Sequence, residues 1–284
     1  MDTKPISLST GKTLGHILAY FGLFLTGELL GGLPFDLLFS VVRTPYAALY
    51  TICRMVGSLA MTVFLFWLYT AKVLHRPMAD FRICLRLPKW SIALAILLPG
   101  FVVAAYSFFG QWSVGHFTLT EGVLLALASV LIALKSGLTE EMLFRGYIMG
   151  LLESHWGKKV AIVLPSVLFG LVHLTSMTEF SLSSVLLLLL SGTMVGILFS
   201  LAAYRANSIA ASALIHGIWN LVMITGILNI SAGTPASGAF FGLTISSTSL
   251  WLTGGEFGPE ASAIALIAYT LGCACLLFGK KSRA

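Results

Sequence analysis

The chain is a succession of apolar runs, each about as long as a bilayer is thick. A helix crosses the hydrocarbon core with about 20 residues. Eight runs reach that length, roughly 14–33, 46–72, 91–109, 122–152, 159–177, 182–203, 208–228 and 261–279. Inside lipid every backbone N–H and C=O must be satisfied within the protein, so runs of this length are helices. The expected fold is all-α: a polytopic transmembrane helix bundle of about eight spans, a single integral membrane domain over 1–284. Composition agrees, since 57% of residues are hydrophobic and 10% charged, against roughly 25% charged in soluble domains.

The basic residues fall in loops. With the N-terminus inside, the inner segments carry Lys4, Lys12, Lys72, Arg76, Arg82, Arg86, Lys89, Lys158, Lys159, Arg205, Lys280, Lys281 and Arg283. The outer loops carry only Arg43. This asymmetry places both termini in the cytoplasm of a multi-pass cell-membrane protein. It also explains the +6 net charge without nucleic acid. The polar start, Met1 to Thr13, and the long first run read as no cleavable signal peptide. Four cysteines without a C-x-x-C pair suggest neither a zinc ribbon nor a disulfide framework. Residues 73–90 mix Arg82, Arg86 and Lys89 with apolar side chains, as a segment on the inner leaflet or a solvated linker would. Residues 229–260 form a Gly/Ser/Thr-rich outer loop whose Phe240, Phe241 and Trp251 suit the interface.

Against this background the fourth run is anomalous. It contains Glu140-Glu141 and Arg145, and a charge inside hydrocarbon costs about 2.5–3.5 kcal/mol or more. Glu141 and Arg145 are four apart and can pair along one helix. Glu140 is rotated about 100° from Glu141 and points elsewhere. The fifth run carries His173, and the seventh carries His216 and Asn220 on one face. Counting the helical rise from Glu153, Lys159 and Arg205 gives heights of roughly 20 Å for Glu140, 21 Å for His173, 17 Å for His216 and 23 Å for Asn220. Three helices thus place polar groups at one level.

Those groups suit hydrolysis of a peptide bond. A buried carboxylate takes a proton from water near neutral pH. A neutral histidine shares that water, and a second histidine with an asparagine amide donates to the oxyanion. Glu140, His173, His216 and Asn220 supply these parts. No Ser-Lys pair or Gly-x-Ser-x-Gly stands in the right setting for a serine nucleophile. A divalent metal such as zinc is the other use of these residues, with Glu140, His173 and His216 as ligands, although no His-Glu-x-x-His is present.

Glu140-Glu141-x-x-x-Arg145, Phe169-x-x-x-His173 and His216-x-x-x-Asn220, in that order on separate spans, resemble the CAAX protease and bacteriocin-processing family. That family includes the type II CAAX prenyl endopeptidases, or Ras-converting enzymes. The resemblance covers about residues 120–228, the expected catalytic core. It implies an eight-helix intramembrane endopeptidase in which Glu140 is the general base, acting with His173 on water. His216 and Asn220 are then the oxyanion pair. Glu141 and Arg145 support the site or reach the substrate's C-terminal carboxylate. Both metal-dependent and glutamate-dependent mechanisms are argued for the family. The implied partner is a membrane-presented peptide or lipidated protein, reached from the inner face for CAAX-type substrates. Peptide maturation and bacteriocin immunity are also represented among its members.

Other features read as structural. Glu28 and Arg54 are placed to pair in the bundle, with Lys135 also within reach of Glu28. Gly192-x-x-x-Gly196, Gly146 and Gly150 read as close helix packing. Two rival functions use the same polar core: a proton-coupled transporter, and a non-catalytic immunity or scaffold protein.

Overall fold

The computed structural model describes residues 8–177, 180–234 and 237–279. Lys4, Lys280, Lys281 and Arg283, counted in the charge bias, lie outside the described residues. The helices are α1 (Thr10–Val41), α2 (Ala47–Lys72), α3 (Lys89–Ser107), α4 (Leu119–Glu141), α5 (Met149–His173), α6 (Leu182–Ala206), α7 (Ile209–Met223), the one-turn α8 (Leu250–Thr253) and α9 (Ala263–Phe278). Hydroxyl side chains start many of them. Ser9, Thr118, Ser181, Ser208 and Ser262 each accept a first-turn backbone N–H, satisfying donors a helix start leaves open. Thr118 and Glu121 complete a capping box.

Five helical runs are long and apolar enough to cross a membrane. One of them is continuous over Leu119–Ser176: α4 passes through a π-helical stretch, Met142–Ile148, into α5. Gly157 interrupts it with φ 77°, a left-handed conformation that glycine adopts without a Cβ clash. The two spans expected at 122–152 and 159–177 meet at this kink. The apolar α7 and α9 are shorter, with 15 and 16 residues. All eight expected runs therefore hold a helix, the seventh only as far as Met223, with Leu228 already in a strand.

The outer loop departs from the expectation. Gly110–Val114 (β1), Leu228–Ala232 (β2) and Phe241–Ile245 (β3) form a three-stranded sheet in the order β1-β3-β2. β3 runs antiparallel to β1 and parallel to β2. Leu228, Leu243 and Ile245 are buried in the main core, so this loop is partly folded inward, while Phe241 and Trp251 stay exposed.

The chain turns define two ends. At the basic end lie Lys72, Arg76, Arg82, Arg86, Lys89, Lys158, Lys159 and Arg205. The segment after α2 docks into this end. Phe81 is fully buried beneath Tyr147, with ring centroids 5.0 Å apart. Arg82 pairs with Glu153, Ser208 Oγ donates to the Cys84 carbonyl, and the Ile209 amide donates to the Arg82 carbonyl. Part of this segment is thus a packed floor, while Leu85 and Leu87 beyond it stay exposed. Gly146 and Gly150 make room for it: a Cβ there would stand 3.1 Å from Ile83 and 3.0 Å from Phe81. The opposite end holds the sheet, the α5–α6 turn and the segment from α7 to α9.

Of the two partners expected for Glu28, Lys135 is the one found. Lys135 Nζ lies 2.7 Å from Glu28, while Arg54 pairs with Asp36 at 3.1 Å rather than with Glu28. The reason is the length of α1. It continues past Pro34 to Val41, which carries Asp36 to the level of Arg54 on antiparallel α2.

Two close backbone contacts fix the helices around the polar residues. A Cβ on Gly137 would lie 2.9 Å from the Gly217 Cα and from the Ala213 carbonyl, so α4 and α7 touch beside Glu140 and His216. A Cβ on Gly192 would lie 2.7 Å from the Gly170 Cα, which draws α5 against α6.

Candidate active site

Glu140, His173, His216 and Asn220 line one cavity of about 290 Å³. Each arrives from a different requirement of the chain. Glu140 ends α4 just before the π-helical stretch. All seven residues of that stretch, Met142–Ile148, are buried. π turns of this kind are frequent at functional sites.

Behind the cavity sits a sealed charge cluster. Glu141 and Arg145 are fully buried, with Arg145 Nη1 2.9 Å from Glu141 Oε1. Arg145 Nη2 donates to the Gly196 carbonyl at 3.0 Å. Its guanidinium carbon lies 4.6 Å from the Phe169 ring centroid and 5.2 Å from that of Phe199, close enough for cation–π attraction. Neither Glu141 nor Arg145 lines the cavity, so their placement offers no contact with a substrate carboxylate.

This cluster orients the first histidine. His216 Nδ1 lies 3.1 Å from Glu141 Oε1. The carboxylate can only accept, so Nδ1 carries the proton. Phe199 stacks on the imidazole at 4.7 Å and 18°. Nε2 is left facing Glu140 Oε2 at 4.0 Å. His173 is oriented by its own helix: Nδ1 donates to the Phe169 carbonyl at 2.7 Å, which leaves Nε2 with the lone pair in the neutral ring. Asn220 Nδ2 donates to Ser136 Oγ at 2.8 Å, and Ser136 donates onward to the Ile132 carbonyl at 2.9 Å.

Ser136, Trp219 and Glu260 are among the cavity residues not singled out in the sequence. Ser136 stands one turn before Glu140 on the same face of α4, a spacing that could have revealed it. Trp219 precedes Asn220, and its indole N–H donates to Glu260 Oε1 at 2.7 Å. Glu260 lines the cavity from the Pro259–Ala261 turn before α9. Burial pushes its carboxyl above the usual range; the Trp219 donor, His173 and His216 oppose the rise, and Glu140 adds to it. Nothing in the Gly-rich text around Glu260 announces this placement.

The metal reading fits poorly. Among the described residues no three His, Cys, Asp or Glu side chains gather closely enough to hold a metal ion.

The cavity has a sidedness. Ser176 and Ile224 are its exposed lining residues. Both stand at the end opposite the basic loops, one after α5 and one after α7. Towards the basic end the fully buried Leu143, Arg145, Tyr147 and Ile148 close it.

Residues 122–222 match the family model described as type II CAAX prenyl endopeptidase Rce1-like. The matched stretch holds all three motifs, and over it the chain is similar to that family, as the resemblance read from them implied. The match supports a membrane protease role in general terms. No curated protein and no solved structure matches the chain.

Proposed function

We propose that the chain is an intramembrane endopeptidase that hydrolyses a peptide bond of a membrane-presented peptide or protein. The observation that carries this reading is the shared cavity of Glu140, His173, His216 and Asn220, drawn from α4, α5 and α7.

In this reading Glu140 takes a proton from water held between it and the unprotonated Nε2 of His173. The hydroxide attacks the scissile carbonyl. The oxyanion forms beside His216 and Asn220, where the free amide N–H of Asn220 donates to it. His216 donates as well when its ring is doubly protonated before water is deprotonated, a proton that it keeps through the cycle. Glu140 then returns its proton to the leaving amine, so the protons balance without a further reactant. Glu141 and Arg145 act through His216 and are positioning residues. The resulting topology has both termini in the cytoplasm, by the charge asymmetry of the loops.

The test is purified protein in liposomes with a library of membrane-anchored peptides, products identified by mass spectrometry. Glu140→Gln should fold normally and yield no product. Uptake or proton coupling without any peptide product would replace this reading with the transporter. A biological effect retained in Glu140→Gln would replace it with the scaffold.

A further inference from the structure

We infer that the cavity receives its substrate from the extracytoplasmic side, and that the cleaved bond lies within an exported or outward-facing polypeptide segment. This deepens the endopeptidase reading and rests on it.

Two independent observations meet here. The first is where the cavity is open. Its exposed lining residues, Ser176 and Ile224, belong to the turn after α5 and the end of α7. The Phe257 and Glu260 walls also come from the segment between α7 and α9. The opposite route is filled by the buried π-helical stretch and, below it, by Phe81 and Ile83 of the docked floor. The second observation is charge. The floor end carries the Lys and Arg residues of the loops, and the open end carries only Arg43. Positive loops stay in the cytoplasm, which puts the opening outside. This sets the opening on the side opposite to the inner-face entry that the resemblance implies for CAAX-type substrates.

The lining chemistry narrows the substrate. Among the described residues no lysine or arginine lines the cavity. Its ionisable groups are two carboxyls, Glu140 and Glu260, two imidazoles and the Tyr269 phenol. A C-terminal carboxylate beside the scissile bond would meet no cation. An internal bond flanked by apolar residues fits better, against walls that include Phe169, Leu188, Val195 and Phe199.

Sidedness is tested without any need for activity. Two full-length chains are prepared, one retaining Cys84 as its only cysteine and one with Ser176→Cys as its only cysteine. Cys84 is exposed in the floor segment. Each is probed with a membrane-impermeant maleimide in right-side-out and in inverted vesicles. Ser176→Cys should react only in right-side-out vesicles and Cys84 only in inverted ones. The reverse pattern overturns the inference and leaves the endopeptidase reading standing. In the second arm, one apolar segment is anchored by a single span in either orientation. The outward-displayed segment should be cut, and Glu140→Ala should abolish the cut. Cutting of the inward-displayed segment alone overturns the inference. Cutting of neither withdraws the endopeptidase reading and the substrate assignment with it.

Discussion

The sealed pair behind the cavity gives the sharpest energetic prediction. Arg145→Met keeps much of the side-chain volume and removes the only guanidinium near Glu141. A fully buried carboxylate then loses its ion pair at 2.9 Å, and the Gly196 carbonyl loses its donor at 3.0 Å. Removing one partner of a buried pair costs about 3–5 kcal/mol. For a chain of this size that is a fall on the order of 10 °C in apparent Tm. Glu141→Gln removes the partner charge but keeps an oxygen to accept from His216 Nδ1. The double variant Glu141→Gln/Arg145→Met therefore buries no charge and should recover most of the loss. The assay is thermal unfolding of purified protein in a fixed detergent, with the single and double variants compared as a cycle. A drop below about 1 kcal/mol for Arg145→Met, or a double variant as unstable as the sum of the singles, refutes the argument.

Glu140→Gln and His173→Ala should each lower turnover by a factor of about 10²–10⁴ while leaving Tm near wild type, measured on one reconstituted preparation; retained turnover in both counts against the assigned roles. Gly137→Leu should abolish activity and cost about 1–3 kcal/mol or more, because its Cβ meets backbone 2.9 Å away on α7; Tm and turnover both report it. Activity should survive exhaustive chelation, and its loss with recovery on adding one divalent ion would restore the metal route. The Glu260 carboxyl, outside the spanning helices, is raised from 4.5 chiefly by burial. The folded state keeps this proton where the unfolded chain has lost it, so stability falls as pH rises from about 4.5 through the folded value. Glu260→Gln should flatten that slope in Tm against pH, and an unchanged slope dismisses the assignment.

Much of the bundle was legible because bilayer thickness dictates helix length. All eight apolar runs hold a helix, and the motif residues on three of them meet in one cavity. Gly192 was also readable, since close approach demands a residue without a side chain. What stayed hidden depends on contacts between distant segments. The Asp36–Arg54 pair required the true end of α1. β1 required a partner, β3, more than a hundred residues away, and the short run Gly110–Val114 does not betray it. Glu260 carries no local pattern: it matters only because the turn before α9 folds back onto Trp219.

The small sheet has a consequence for any attempt to move this cavity. Its three strands all lie outside residues 122–222, yet β1 follows α3, and β2 and β3 follow α7. They tie α3 to α7, because β3 pairs with β1 on one side and with β2 on the other. A graft of the matched stretch into another scaffold would carry Glu140, His173, His216 and Asn220 but leave this tie behind, together with Ile224, Phe257, Glu260 and Tyr269 of the cavity wall. Part of the cavity's shape thus belongs to sequence the family match does not reach.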